Sequence, residues 1–202
     1  MDNLIPYNWH WRWHWGTSEL GNNAVHGLDL ARWGLGVDFP LRVTCGGNRY
    51  HFEDDWEMPD VCVGTYDFGH CAIVFESQSC DPGGFEGLTF GVSFFGEKGV
   101  LQIGNGSYKV FDLSNKLVRT GLGERDDSLH FGNFADAIRD GKPLNSEIEE
   151  GQKATMLAHL GNIAWRSGRT IDFDPVKRGI KGDRKAAAYW HREYRRGWQH
   201  KV

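Results

Sequence analysis

The spacing of hydrophobic positions changes several times along this chain, and each change predicts a different element. Residues 8–15 read Asn-Trp-His-Trp-Arg-Trp-His-Trp. An extended segment would set Trp9, Trp11, Trp13 and Trp15 on one side and His10, Arg12 and His14 on the other. Gly16 breaks that alternation, and Thr17 or Ser18 can cap a helix over 19–33 that Gly34 and Gly36 end. From 41 to 112 the pattern is β, with strands predicted over 41–45, 61–68, 71–77, 88–95, 100–103 and 108–112. Turn sequences such as Gly46-Gly47-Asn48 and Asp81-Pro82-Gly83-Gly84 divide them. Connections this short predict antiparallel neighbours, because a parallel crossover needs a dozen or more residues. Two helices follow. One covers 128–139 with Phe131, Phe134, Ala135 and Ile138 at helical spacing; the other opens on a Ser146/Glu149 capping box, carries Leu157, Leu160, Ile163 and Ala164 as its apolar stripe, and ends before Gly168. A last strand over 170–173 stops before Pro175.

Helices on either side of a long run of strands predict an α+β fold: a large, mainly antiparallel open β-sheet with helices on one face and no Rossmann domain. Segments 71–75 and 89–95 carry apolar residues on both sides. The second sheet face is therefore expected to meet another subunit or domain, which predicts a homo-oligomer. We expect one α+β domain over 1–176 and a basic, aromatic tail over 177–202 that packs on the domain or on a neighbouring subunit.

Composition narrows the class. Of 202 residues 40% are hydrophobic, which excludes a disordered chain. No run approaches the roughly 20 apolar residues of a membrane-spanning helix, and the first residues lack a signal-peptide pattern, so no membrane partner is expected and the cytoplasm is the default compartment. Export stays open if a further N-terminal half carries a signal. The four cysteines form no CxxC pair and read as thiols. Net charge is −4, but 177–202 holds nine Lys and Arg against Asp183 and Glu193. That tail is interleaved with Tyr189, Trp190, Tyr194 and Trp198, aromatics that need burial, so packing is preferred over nucleic-acid binding.

Candidate chemistry lies near the start. Asn22, His26 and Asp29 are four and three residues apart and can share one helix face. A histidine beside a carboxylate is a reasonable general base, although such a pair is more often a structural hydrogen bond. The alternating indoles suit stacking on the C–H faces of sugar rings while His10, Arg12 and His14 bond hydroxyls; a buried subunit seam is the other reading. No metal site is expected: His10 and His14 would lie about 13 Å apart in an extended segment. The acidic run over 51–60 lacks the order of a calcium loop and reads as a solvated loop near the site mouth. No GxGxxG follows a strand, so the chain alone is expected to bind no dinucleotide.

Taken together, residues 8–11, the run 16–33 around Asn22 and His26, and the short motifs at 46–50, 96–99, 130–134, 148–151 and 168–170 resemble the C-terminal domain of the Gfo/Idh/MocA oxidoreductases, the glucose-fructose oxidoreductase and inositol dehydrogenase family. The resemblance covers nearly the whole chain. It implies a dihydrodipicolinate-reductase-like C-terminal fold whose open sheet builds dimers or tetramers, partnered by an N-terminal Rossmann domain that holds NAD or NADP. The family's catalytic lysine belongs to that other half. Its aspartate and histidine on the first helix fall on Asn22 and His26, so only the histidine is retained. By this resemblance His26 takes the proton of a sugar or cyclitol hydroxyl as hydride passes to the cofactor, Asn22 binds a hydroxyl, and Trp9, His10, Trp11, Arg12, Trp13, His14 and Asp29 contact the substrate. The expected function is the substrate-binding and assembly domain of an NAD(P)-dependent oxidoreductase acting on CH–OH groups, inactive by itself. The competing readings are a stand-alone carbohydrate-binding or scaffold module without turnover, and, well behind, an RNA-binding module using the tail.

Overall fold

The computed structural model describes residues 8–84, 87–124 and 126–199; the ends of both expected segments, 1–7 and 200–202, lie outside the described residues. Among the described residues nine strands and four α-helices follow in the order α1 (Val25–Leu35), β1 (Arg42–Asn48), β2 (Val61–Asp67), β3 (Ala72–Gln78), β4 (Gly91–Gly96), β5 (Gly99–Gly104), β6 (Ser107–Phe111), β7 (Leu117–Leu122), α2 (Asp127–Asp140), α3 (Ile148–Ser167), β8 (Ile171–Asp174), β9 (Gly179–Ile180) and α4 (Arg184–Ala187). The class is α+β, and every strand pair is antiparallel. The strands fall into two sheets, β3-β2-β1-β8-β9 and β4-β5-β6-β7, rather than one continuous meander. The break falls between β3 and β4, where the Asp81 carboxylate accepts from Gly83 N in a turn (2.9 Å). Strand β7 was not expected; its Gly121 and the polar turn before it mask the short apolar run Leu117-Val118.

The core lies between the first sheet and two helices. The inward face of β1 and β2 presents Val43, Cys62 and Tyr66, which pack with Leu157, Leu160 and Ala164 of α3 and with Leu20, Leu28 and Ala31 from the first helical run. Leu157, Leu160 and Ala164 are fully buried and Ile163 nearly so, which places the whole predicted stripe of α3 inside. Helix α1 also touches β4 of the second sheet, where the Phe94 ring occupies the space above Gly34. α1 therefore spans the seam between the sheets.

The second predicted helix forms, with Asp126 capping it through Ser128 N (2.9 Å), but none of its side chains is buried. Phe131, Phe134 and Ile138 are 68%, 57% and 71% exposed, so the apolar face inferred from spacing has no partner among the described residues. The predicted capping box of α3 is not made. The helix begins after Glu147, which makes no side-chain cap bond; Glu149 instead pairs with Arg178 (2.5 Å), while Glu150 takes Arg32 and Lys153 (2.5 and 2.8 Å). Acids in the first turn are favoured by the helix dipole in any case, and here cations from other elements claim them. Lys153 and Arg32 hold the Glu150 carboxyl below the usual carboxylate range.

Beyond β9, α4 and the turn after it pack on the body. Residues 191–199 are instead exposed, Tyr194 and Trp198 at 44% and 74%, so these two tail aromatics do not find the burial expected of them among the described residues. The Asp183 carboxylate caps α4 through Lys185 N and Ala186 N (both 3.0 Å), Ala186 is fully buried, and Trp190 lies 6.0 Å from Phe173. The Arg166 guanidinium sits between Trp13 (4.6 Å) and Tyr189 (4.4 Å). No helix among the described residues is long and apolar enough to cross a membrane.

Candidate active site

The tryptophan segment is coiled, not extended. Asn8–Trp11 makes a 3-10 turn, and Trp15 N and Gly16 N both donate to the Arg12 carbonyl (3.0 and 2.7 Å). The cause lies in what each indole meets. Trp11 is 7% exposed and stacks on Trp56 with centroids 4.8 Å apart, whereas Trp13 stacks on Trp165 at 5.5 Å. Trp9 and Trp15 remain 45% and 50% exposed. A strand would keep all four on one side; seating two of them on partners from a loop and a helix requires the backbone to turn. The expected polar row is lost for the same reason. His10 lies flat on Trp9 (4.0 Å), Arg12 forms an ion pair with Asp55, and His14 meets Trp15 edge-on (5.2 Å).

The acidic run is solvated as expected over 51–55 and at Glu57, and it also lines the tryptophan cluster. Glu57 accepts from Trp13 N (2.7 Å), and its own N donates to the Trp11 carbonyl (3.0 Å). Arg49 ties the loop internally through Asp54 and the carbonyls of Trp56 and Phe52 (2.6, 2.6 and 2.8 Å). Asp60 is only 5% exposed and accepts from the N–H groups of Tyr50, His51 and Phe52 at 2.9–3.1 Å. Desolvation pushes its carboxyl up, but those three donors and Arg49 outweigh it and hold it below the ordinary 3.8. A depressed folded value stabilises the loop above the ordinary carboxylate range, and that stability is lost as pH falls through the depressed value. Acid titration is therefore expected to shift Trp56 emission in this low-pH window, and Asp60→Asn to flatten the transition. An unchanged acid transition in that variant would refute the role. Sequence spacing missed Trp56, Trp165 and Arg166; the one available signal was a tryptophan placed inside a run of acids.

The helix carrying Asn22 and His26 starts from a buried polar knot. Ser18, at φ 61°, accepts from Leu20 N (3.2 Å) and donates to Asn162 Oδ1 (2.7 Å), while Asn162 Nδ2 donates to the Thr17 carbonyl (2.6 Å). Leu20–Ala24 is a π turn before regular α1 begins. A Cβ at Gly21 would lie 2.0 Å from Thr17 Oγ1, so only glycine permits the chain to close there. Such π segments recur at functional sites. The π turn holds Asn22, which is half-buried, and His26 follows on regular α1, where it is exposed. Asp29 is directed to Arg32 (3.5 Å), and neither it nor Asn22 hydrogen-bonds His26. His26 stands eight residues beyond the knot, about 12 Å along a helix axis. The structure thus joins Trp11, Arg12 and Trp13 to the 49–60 loop and to α3, and leaves His26 open on α1.

Among the described residues no group of three or more His, Cys, Asp and Glu is arranged to hold a metal ion. Among the described residues the strand pairs are all antiparallel, with no βαβ unit. No match by sequence was found among curated proteins. Solved structures do match. A putative NADPH-dependent oxidoreductase from Desulfitobacterium hafniense aligns over 81% of this chain and 51% of its own with TM-score 0.67 and 17% identity. The WlbA dehydrogenase from Bordetella pertussis, in complex with NADH and UDP-GlcNAcA, aligns over 84% and 49% with TM-score 0.57 and 16% identity. A myo-inositol dehydrogenase from Corynebacterium glutamicum aligns over 78% and 50% with TM-score 0.55 and 19% identity. The chain thus spans about half the length of the solved structures it matches. Residues 5–200 match the model of the oxidoreductase family C-terminal alpha/beta domain of the GFO/IDH/MocA group, and the chain belongs to that family.

Proposed function

We propose that the chain is the substrate-binding and assembly domain of an NAD(P)-dependent oxidoreductase acting on a hydroxyl of a sugar, glycoside or cyclitol. The family match over 5–200 carries this reading. Structures of similar fold supply the substrate chemistry: WlbA with its nucleotide sugar, the myo-inositol dehydrogenase, and a UDP-N-acetylglucosamine 3-dehydrogenase from Acidithiobacillus ferrooxidans (TM-score 0.54). A nicotinamide held by a Rossmann domain outside these residues would supply the hydride acceptor. His26, open on α1, takes the hydroxyl proton, and Asn22 bonds a neighbouring hydroxyl without titrating. Trp9 and Trp15 offer indole faces to the sugar ring beside His10 and His14. Trp11, Arg12 and Trp13 hold that segment to the 49–60 loop, and Asp29 positions α1 through Arg32. The tail over 177–202 would pack on this domain or on a neighbouring subunit. Assembly would cover the exposed apolar groups of the second sheet and α2, such as Phe95 and Leu122 at 81% and 89% exposure.

One set of samples checks this. Titration with myo-inositol or UDP-N-acetylglucosamine is expected to change tryptophan emission saturably, less so in Trp9→Ala, and light scattering at micromolar concentration is expected to show an oligomer. No saturable response to either sugar would count against the substrate reading, and a monomer against the assembly role.

A further inference from the structure

Two cysteines approach each other across the first sheet. Cys45 of β1 and Cys62 of β2 lie on the face covered by α3, with their Sγ atoms 3.0 Å apart. In the antiparallel register Cys45 stands opposite Gly64 and Cys62 opposite Gly47, which makes the cysteines diagonal neighbours. Each sulfur therefore leans toward a position that a facing side chain would otherwise fill. A Cβ on Gly64 would sit 3.7 Å from Cys45 Sγ, and one on Gly47 would strike the Val61 carbonyl oxygen at 2.0 Å, so this strand pair is bare where the thiols meet. A disulfide needs a separation of about 2.05 Å, roughly 1 Å less than the present gap. Cys62 is 4% exposed and Cys45 only half-buried, so the pair has one edge open to a small reagent.

We propose that Cys45 and Cys62 form a dithiol–disulfide site, closed by a small peroxide. One of the two thiolates attacks a peroxide oxygen, the O–O bond breaks, and a sulfenic acid and hydroxide result. The other sulfur then attacks the oxidised one, the S–S bond forms as the S–O bond breaks, and a second hydroxide leaves. The two thiol protons convert both hydroxides to water, and two electrons pass from the sulfurs to the peroxide. Either sulfur can donate to the other across the 3.0 Å contact, and Cys45 is the more open of the two to the reagent. The link would close the loop that carries Trp56 and Glu57, and it would form beside Gly47, whose carbonyl accepts from Trp165 Nε1 (2.9 Å). It would thus tighten the seat of the tryptophan segment.

The test treats the whole chain with hydrogen peroxide, quenches in acid and alkylates under denaturing conditions. The expected result is a mass loss of about 2 Da, a fall in free thiols from four to two, and a non-reduced peptide linking residues 45 and 62. Dithiothreitol should restore all four thiols. Removing either partner, Cys45→Ser or Cys62→Ser, should abolish the link, and Cys62→Ser should trap a dimedone-reactive sulfenic acid at the more open Cys45. Four thiols remaining after peroxide, or a link that joins Cys71 to Cys80 or two chains together, would overturn the proposal. The unsubstituted chain decides the matter even if the serine variants fail to fold.

Discussion

On the proposed function, replacing His26 with alanine is expected to lower kcat by about 10²–10⁴-fold once the chain is joined to a dinucleotide-binding domain, the range that a positioned acid or base contributes. The side chain is exposed and makes no hydrogen bond to Asn22 or Asp29, so the fold should survive, with stability changed by less than about 0.5 kcal/mol. Loss of rate without loss of Tm separates a role in chemistry from one in packing. Asn22→Asp is the informative companion, because it restores a carboxylate one turn before His26, where the family resemblance places one. A change in the pH profile of kcat in that variant would show that the two positions share a proton path. Unimpaired turnover in His26→Ala would remove His26 from the mechanism, whatever the family match implies.

Leu160→Ala is expected to cost about 2–5 kcal/mol, since a fully buried leucine loses both its transfer free energy and its fit. For a chain of this size that corresponds to a Tm lower by roughly 5–15 °C. The surroundings leave little room to relax. The next residue, Gly161, already has the Tyr66 hydroxyl where its Cβ would stand, 2.4 Å away, and Leu20 at 3.0 Å. Tyr66 is itself fully buried, and its hydroxyl has no hydrogen-bond partner, so the ring is held by shape alone. Leu129→Ala on α2 is the control: this leucine is 64% exposed and should cost less than about 0.5 kcal/mol in the isolated chain. A Leu160→Ala loss below about 1 kcal/mol would mean that the interior between α3 and β2 is loosely packed.

That pair of leucines marks the boundary of what spacing can reveal. Both α2 and α3 carry apolar residues at helical intervals, and both form where the pattern places them. Periodicity is a local property, so it reads the helix and its face correctly in each case. Whether the face is covered depends on which surfaces remain after folding, and only α3 finds the sheet. The capping box shows the same limit. Ser146 and Glu149 have the right spacing, yet Arg178 from the far end of the chain takes the glutamate.

The amino-acid sequence by itself determined the strand and helix types, their antiparallel order, the glycine ends of the helices, and the joint spacing around Asn22 and His26 that marks the family. These depend on residues close in the chain or on motifs preserved as wholes. Tertiary structure decided the rest. The alternating tryptophans carry the period of a strand, but an indole gains most from a flat partner, and Trp56 and Trp165 lie 45 and 152 residues beyond Trp11 and Trp13. Contacts at that separation outweighed the local period and coiled the segment. The division into two sheets, the role of Asp60 in pinning a loop that reads as solvated, and the meeting of Cys45 with Cys62 over facing glycines arise the same way, from strand register that no single stretch of sequence records.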